Sequence, residues 1–173
     1  MINKKINKMR RSIILFRHGK SDWDVLYNSD HDRPVSRRGI KAAKKMGRYL
    51  KKIDQVPSLI ISSTALRASI TAKTAIKAGE WNTNLVFEKK IYESSIYTLI
   101  KIIKQQKDEY NKICIVGHEP TFSAFIERCN NSIWLRFPTA SMARIDFNIT
   151  SWKEIDFKFG SLAWLSRPKE LDQ

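Results

Sequence analysis

The chain has 173 residues, of which 42% are hydrophobic, and these values predict one folded domain with a single core. It carries 32 Lys and Arg against 17 Asp and Glu, which gives a formal net charge of +15. Such a charge indicates either an anionic partner or a role in keeping the protein in solution. The absence of an RNA-binding motif, zinc-finger spacing or basic-aromatic repeat disfavours specific nucleic-acid binding.

The N-terminal segment MINKKINKMRR is basic and contains no acid. The apolar run that follows, IILF, is shorter than the roughly 7–15 residues of a signal peptide and the roughly 20 residues of a membrane span. We therefore expect a basic tail at residues 1–11, one domain at residues 12–173, no membrane span and a cytoplasmic location.

Apolar runs and helical periodicity alternate along the rest of the chain. The predicted elements are, in order, a strand in SIILF, a helix in RRGIKAAKKMGRYLKKI, a strand in SLIIS, a helix in TALRASITAKTAIKAG, a strand in NLVFEKKIY, a helix in SSIYTLIKIIKQQ, a strand in KICIVG and a helix in PTFSAFIERC. Two further strands, in MARIDFNI and EIDFKFGSLAWL, are expected at or near a sheet edge. Strands that alternate with helices predict a three-layer α/β/α fold with a mainly parallel sheet.

The two cysteines, Cys114 and Cys129, lie in apolar elements and are predicted to be buried free thiols. Neither begins a Cys-x5-Arg phosphatase loop, because the sixth residue after each is Pro120 and Leu135, respectively. The sequence thus gives no support for a thiolate mechanism.

Polar residues with catalytic potential follow each of the four central strands. In parallel α/β sheets, ligands bind beyond the carboxyl ends of the strands. The residues at these positions are Arg17 and His18 after the first strand, Ser62, Ser63 and Arg67 after the second, Tyr92 and Glu93 after the third, and Gly117, His118 and Glu119 after the fourth. We therefore expect two histidines, two arginines and a carboxylate to meet at one edge of the sheet.

The segment LFRHGKSDWD allows two interpretations. Its GKS matches the end of a phosphate-binding P-loop, but that motif would need glycine where the chain has Ile14. The alternative is phosphoryl transfer, in which arginines bind phosphoryl oxygens, an imidazole attacks phosphorus and a carboxylic acid protonates the leaving group. We favour this second interpretation. His31 lies in a polar loop with an expected rim or structural role, and the histidine spacing predicts no metal site.

Three motifs in this order resemble those of the histidine phosphatase superfamily, which has the phosphoglycerate-mutase-like fold. They are LFRHGKSDWD, SSTALRASITA and VGHEP, and the segments DHDRPVSRRG and FPTASMARIDF are similar to the small SixA-type phosphohistidine phosphatases. The resemblance implies a transiently phosphorylated His18, with the phosphoryl group bound by Arg17, Gly19, Ser21, Arg67 and His118. It also implies that Glu93 is the proton donor and that no metal or cofactor is needed. Asp24 stands where relatives usually carry asparagine, and Asp22 and Asp24 remain alternative proton sources.

The segment from Glu93 to His118 has room for one helix and one strand, and therefore not for an inserted cap. An open site suits a phosphoryl group on a protein surface, and the imidazole of phosphohistidine, with a pKa near 6.5, leaves with little acid help. We expect a monomer that acts on a phosphorylated protein, such as a histidine phosphotransfer or phosphocarrier domain. The alternative is a metal-independent phosphomonoesterase for a small phosphorylated metabolite.

Overall fold

The computed structural model describes residues 10–172, in which one six-stranded sheet carries four α-helices. The strands are β1 (Arg11–Arg17), β2 (Leu59–Ser62), β3 (Asn84–Phe87), β4 (Lys112–Gly117), β5 (Met142–Phe147) and β6 (Gly160–Ser166). The helices are α1 (Arg37–Lys52), α2 (Leu66–Gly79), α3 (Ile96–Lys104) and α4 (Thr121–Cys129). Nine residues of the predicted basic tail, 1–9, lie outside the described residues.

The sheet is parallel at its centre and antiparallel at one edge. Its strand order is β3-β2-β4-β1-β5-β6; β1, β2, β3 and β4 are mutually parallel, whereas β5 runs antiparallel to β1 and β6 antiparallel to β5. The predicted mainly parallel sheet, with the last two strands at its edge, is confirmed.

Side chains of β1 alternate between two apolar layers. Ile13 and Leu15 pack with buried residues of α3 and α4, whereas Ile14 and Phe16 pack with those of α1 and α2. All four side chains are fully buried, as expected for the central strand of a sheet covered on both faces. This arrangement confirms the three-layer α/β/α fold.

The helix pair α1 and α2 packs at a small-residue contact. A Cβ on Gly47 would lie 2.3 Å from the backbone oxygen of Ala75, so only glycine allows this approach. The indole N–H of Trp81 donates to the Gly47 oxygen at 2.9 Å and fixes the far end of the pair. These contacts join the C-terminal halves of α1 and α2.

Strand β1 begins at the last residue of the segment that the sequence predicts to be a basic tail. Arg11, which we assigned to the basic tail, is the first residue of β1 and is 1% exposed. Its guanidinium donates to the Thr150 oxygen and forms an ion pair with Asp108 at 3.2 Å. The sequence alone predicts that a charged residue beside an apolar run is exposed to solvent. The burial of Arg11 could not be predicted, because its partners come from distant parts of the chain.

The connection from Glu93 to His118 consists of α3 and β4 with short loops, so the fold has no cap. Among the described residues, no helix is long and apolar enough to cross a membrane. Cys114 and Cys129 are free and buried, as predicted, and burial raises the pKa of both thiols, that of Cys129 to about 12.

Candidate active site

The two histidines that follow β1 and β4 lie side by side because these strands are parallel neighbours. Arg17 pairs with Gly117 in the sheet, so His18 and His118 occupy equivalent positions one residue beyond. Their ring centroids are 5.2 Å apart, and each residue is only 8% exposed. The convergence expected from strand order is therefore present.

The His18 ring is held with one nitrogen free for chemistry. Its Nδ1 lies 2.7 Å from the Gly19 carbonyl oxygen, which can only accept, so Nδ1 carries the proton. Burial, together with the nearby positive charges of Arg67 and Arg17, lowers the pKa of His18 to about 4. His18 is therefore neutral at pH 7, with an unprotonated Nε2.

His118 is held by the protein through its other ring nitrogen, Nε2. Its Nε2 lies 2.8 Å from the hydroxyl of the buried Ser63, and among the described residues that hydroxyl has no other acceptor for its proton. The hydroxyl proton is then directed to Nε2, so Nδ1 carries the ring proton. Burial and the adjacent His18 lower the pKa of His118 to about 3. A neutral His118 thus presents an Nδ1–H donor.

Each of the two arginines predicted at the site uses only some of its guanidinium N–H groups in hydrogen bonds within the protein. Arg17 donates from Nη1 to the Phe137 oxygen at 2.8 Å. Arg67 donates from Nη1 to the Asp30 backbone oxygen at 2.6 Å and from Nη2 to the Asp30 carboxylate at 2.9 Å. The Nε atoms of both arginines are buried and have no partner.

Unpartnered buried polar atoms concentrate in one cavity. Of the six such side-chain atoms in the described part of the chain, four belong to residues lining an open cleft of about 1060 Å³, which also contains His18. They are Arg17 Nε, Ser21 Oγ, Arg67 Nε and His118 Nδ1. Buried polar groups normally have partners, so their grouping indicates a site for a polar ligand. All four can donate a hydrogen bond, as an anion requires.

Gly19, which the resemblance assigns to phosphate binding, has a packing role in the structure, and its phosphate contact stays a prediction. Its backbone N–H donates to the Thr71 hydroxyl at 2.9 Å, so that donor is already engaged. A Cβ at this position would lie 2.9 Å from the Gly39 oxygen. Glycine is needed here because the loop after β1 approaches the first turn of α1.

Of the three carboxylates proposed as proton donors, only Glu93 lines a cavity together with one of the two site histidines, His118. It lines a hollow of about 390 Å³ that it shares with Arg67 and His118. Neither Asp22 nor Asp24 lines this hollow or the main cleft; Asp24 is exposed and its N–H donates to Asp22 Oδ1 at 3.1 Å. The position of Glu93 therefore agrees with its predicted role better than those of the aspartates do.

Three further residues contact the site and were not assigned a role from the sequence. Glu119 lines both cavities, and its carboxylate accepts hydrogen bonds from the N–H and hydroxyl of Ser123. Asp30 binds Arg67, and the Tyr92 hydroxyl donates to Asp30 at 2.9 Å. Glu119 lies in the VGHEP motif directly after His118, and this position is a signal that the sequence offers, but Asp30 lies in a one-turn 3-10 helix that no periodicity identifies.

His31 lies at the rim, as expected. Its Nε2 is 2.9 Å from the Thr64 hydroxyl, and its ring packs edge-on against Tyr92 at 5.1 Å. Within residues 10–172, no three His, Cys, Asp or Glu side chains are placed to hold a metal ion together.

One protein family and several related proteins are similar to this chain in sequence. The model of the histidine phosphatase superfamily (branch 1) matches residues 13–99. An uncharacterised protein of Mycobacterium leprae is 29% identical over 169 residues, covering 88% of this chain and 99% of that protein. An uncharacterised chloroplastic protein of Arabidopsis thaliana is 28% identical over 167 residues, covering 89% of this chain and 74% of that protein.

The fold is also similar to that of solved phosphatases. A candidate phosphohistidine phosphatase SixA of Agrobacterium tumefaciens has a TM-score of 0.76 and 25% identity, covering 91% of this chain and 98% of that one. The protein histidine phosphatase SixA in complex with tungstate has a TM-score of 0.77 and 17% identity, covering 92% and 99%. A family match over half of the chain, with this architecture and both histidines in place, places the chain in the histidine phosphatase superfamily as a small phosphatase of SixA type.

Proposed function

We propose that this phosphatase removes phosphoryl groups from phosphohistidine in proteins, through a covalent phosphohistidine on His18. The observation that carries the proposal is a neutral His18 with a free Nε2, in a cleft where four buried donors have no partner. A phosphoryl group at this place gives the donors their missing acceptors. It also puts phosphorus next to the one nitrogen able to attack it.

The proposed reaction has two steps. In the first, His18 Nε2 forms a bond to phosphorus while the bond from phosphorus to the substrate imidazole nitrogen breaks, and that nitrogen takes a proton from Glu93 or from water. In the second, a water molecule attacks phosphorus and returns a proton to the same group, the bond to His18 breaks and inorganic phosphate leaves. Arg17, Ser21, Arg67 and His118 donate to the phosphoryl oxygens in both steps, where charge stabilisation and positioning matter most.

Two features favour phosphohistidine over an alkyl phosphate. The site lies in an open cleft without a cap, so a protein side chain can enter while little would enclose a small metabolite. An imidazole leaving group needs little acid catalysis, which suits a site whose predicted acid, Glu93, is exposed. The SixA proteins of similar fold bear names that refer to the same substrate.

The alternative is a phosphatase for a small phosphorylated metabolite. The position of Glu93 beside His118 favours this alternative, because an alkoxide leaving group requires a nearby acid. The fold is compatible with it, since a mycobacterial glucosyl-3-phosphoglycerate phosphatase, 15% identical, has a TM-score of 0.65.

One comparison of substrates tests the proposal. The enzyme is incubated with a histidine phosphotransfer domain phosphorylated on histidine and, separately, with a panel of phosphorylated metabolites, and phosphate release is followed. We expect release from the protein, no turnover by His18→Ala, and a label on wild type that survives alkaline quenching and is lost in acid. Efficient turnover of one metabolite with none of the phosphoprotein would overturn the substrate assignment. A His18→Ala variant of near wild-type rate would overturn the covalent step.

A further inference from the structure

The cleft that contains His18 carries more positive charge than one phosphoryl group needs. Besides Arg17 and Arg67, six cationic residues line it: Lys20, Arg33, Arg38, Arg136, Arg167 and Lys169. Only two carboxylates, Glu119 and Glu170, line the same cleft. The excess of positive charge extends well beyond the reacting group.

Four of these cations are available to a ligand. Arg167 forms an ion pair with Glu170 at 2.6 Å, and Arg33 forms one with Asp30 at 2.8 Å. The remaining four are exposed and form no ion pair within the part of the chain that the structure describes. These four, named here the basic rim, are Lys20, Arg38, Arg136 and Lys169. They belong to four separate segments: the loop after β1, the first turn of α1, the loop before β5 and the C-terminal segment.

Two exposed tryptophans line the same cleft. Trp23 is 64% exposed, and the Arg33 guanidinium lies 3.7 Å from the centre of its ring. Trp134 is 62% exposed and is preceded by Ile133, which is 56% exposed. Exposed large apolar side chains beside a binding site are typical of protein–protein contacts, in which Trp and Arg contribute most of the energy.

We propose that the basic rim, with Trp23 and Trp134, docks an acidic segment of the protein substrate next to its phosphorylated residue. This inference rests on the proposed function, and it adds that acidic flanking residues determine which phosphohistidines are accepted. Charge complementarity specifies the occupant, because unpaired cations on four segments can meet several carboxylates at once. The tryptophans favour a polypeptide over a small polyanion, since they offer apolar contact area that a small polyanion does not use.

The test uses two short phosphohistidine peptides that differ only in having Glu or Gln beside the phosphohistidine, and free phosphohistidine as a third substrate. Wild type should prefer the Glu peptide in kcat/KM, and added salt should reduce the preference because salt screens exposed charges. Arg38→Glu and Arg136→Glu should each reduce that preference about three- to tenfold, the range expected when one exposed charge pair is reversed.

The matched control is Arg48→Glu. Arg48 is exposed on the same helix as Arg38, about 15 Å further along its axis, and does not line the cleft. Arg48→Glu should retain the wild-type preference. Folding does not explain a loss in Arg38→Glu, because an acidic residue in the first turn of a helix is stabilising.

The outcomes separate this inference from the function on which it rests. Equal turnover of the two peptides would overturn the docking surface while leaving the phosphatase intact. Turnover of none of the three substrates would overturn the proposed function itself. If a small compound with several phosphates competed with the Glu peptide, and the rim variants weakened that competitor as much as the peptide, a polypeptide would be the wrong occupant.

Discussion

Asp30 binds both terminal nitrogens of Arg67. Its carboxylate accepts from Nη2 at 2.9 Å and its backbone oxygen from Nη1 at 2.6 Å. The same carboxylate accepts a hydrogen bond from Tyr92 and pairs with Arg33, so it links three side chains around the site. Arg67 is thereby fixed in orientation, and part of its charge is already neutralised before any phosphoryl group binds.

We predict that Asp30→Ala lowers kcat and strengthens inhibition by inorganic phosphate. The freed guanidinium loses its orientation, which slows the chemical step by about tenfold, less than the 10²–10³ lost with a direct transition-state donor. The same guanidinium can now bind product phosphate with two parallel hydrogen bonds. Asp30→Asn retains an acceptor and should give an intermediate rate. Unchanged kcat and unchanged phosphate inhibition in Asp30→Ala would show that the contact has no role in catalysis.

We predict that Ser63→Ala slows turnover because it removes the group that fixes the His118 tautomer. Without the hydroxyl proton at Nε2, the ring can place its proton there, and Nδ1 then presents a lone pair to the phosphoryl oxygens. We expect a loss of about ten- to a hundredfold in kcat with a smaller change in KM. Ser62→Ala is the matched control, because that buried hydroxyl donates to the Ser63 backbone oxygen and has no contact with His118. Equal effects of the two substitutions would indicate a general loss of packing.

The two site histidines are predicted to weaken folding in mild acid. Burial lowers the pKa of His18 to about 4 and that of His118 to about 3, from 6.5 in the unfolded chain. As the pH falls below 6.5, the unfolded state binds protons that the folded state rejects, so the free energy of unfolding decreases until the folded-state pKa is reached. From pH 6.5 to 5, each histidine should account for about 2 kcal/mol.

Urea unfolding at several pH values checks this prediction. His18→Asn keeps a side-chain donor for the Gly19 oxygen but does not titrate, so its stability should fall less than that of wild type between pH 6.5 and 5. Identical pH dependence in the two proteins would mean that His18 is protonated as readily in the fold as in the unfolded chain.

Motifs and periodicity were sufficient to predict the six strands, the four helices and the meeting of Arg17, His18, Arg67 and His118. These features depend on local apolar runs and on the rule that parallel strands end at one edge. The hydrogen bonds that orient the site could not be predicted in this way. Asp30 and Arg67 are 37 positions apart, and the contact depends on how a polar loop folds over α2.

Gly19 shows a second limit of prediction from the sequence. The glycine after His18 is predicted to bind phosphate, and the structure adds a packing role that the sequence does not indicate: its N–H donates to the Thr71 hydroxyl in α2, and a Cβ on it would meet Gly39 in α1. Residue type and motif position are the same for both roles, so only the packing of the neighbouring helices distinguishes them. The burial of Arg11 could not be predicted either, because its hydrogen-bond partners lie beyond residue 100.

The last prediction identifies the proton donor through the leaving group. Glu93→Gln removes the acid next to His118 but keeps the shape of the side chain. The rate should fall modestly on phosphohistidine, more on a phenyl phosphate and most on an alkyl phosphate, because the need for a proton rises with the pKa of the leaving group. The ratio across substrates on one variant cancels any loss of folded protein. Glu119→Gln is the comparison, since Glu119 lines the same hollow as Glu93 and the main cleft as well, while its carboxylate is hydrogen-bonded to Ser123. A graded loss in Glu119→Gln with a uniform loss in Glu93→Gln would transfer the role to Glu119, and an effect of neither would leave water as the proton source.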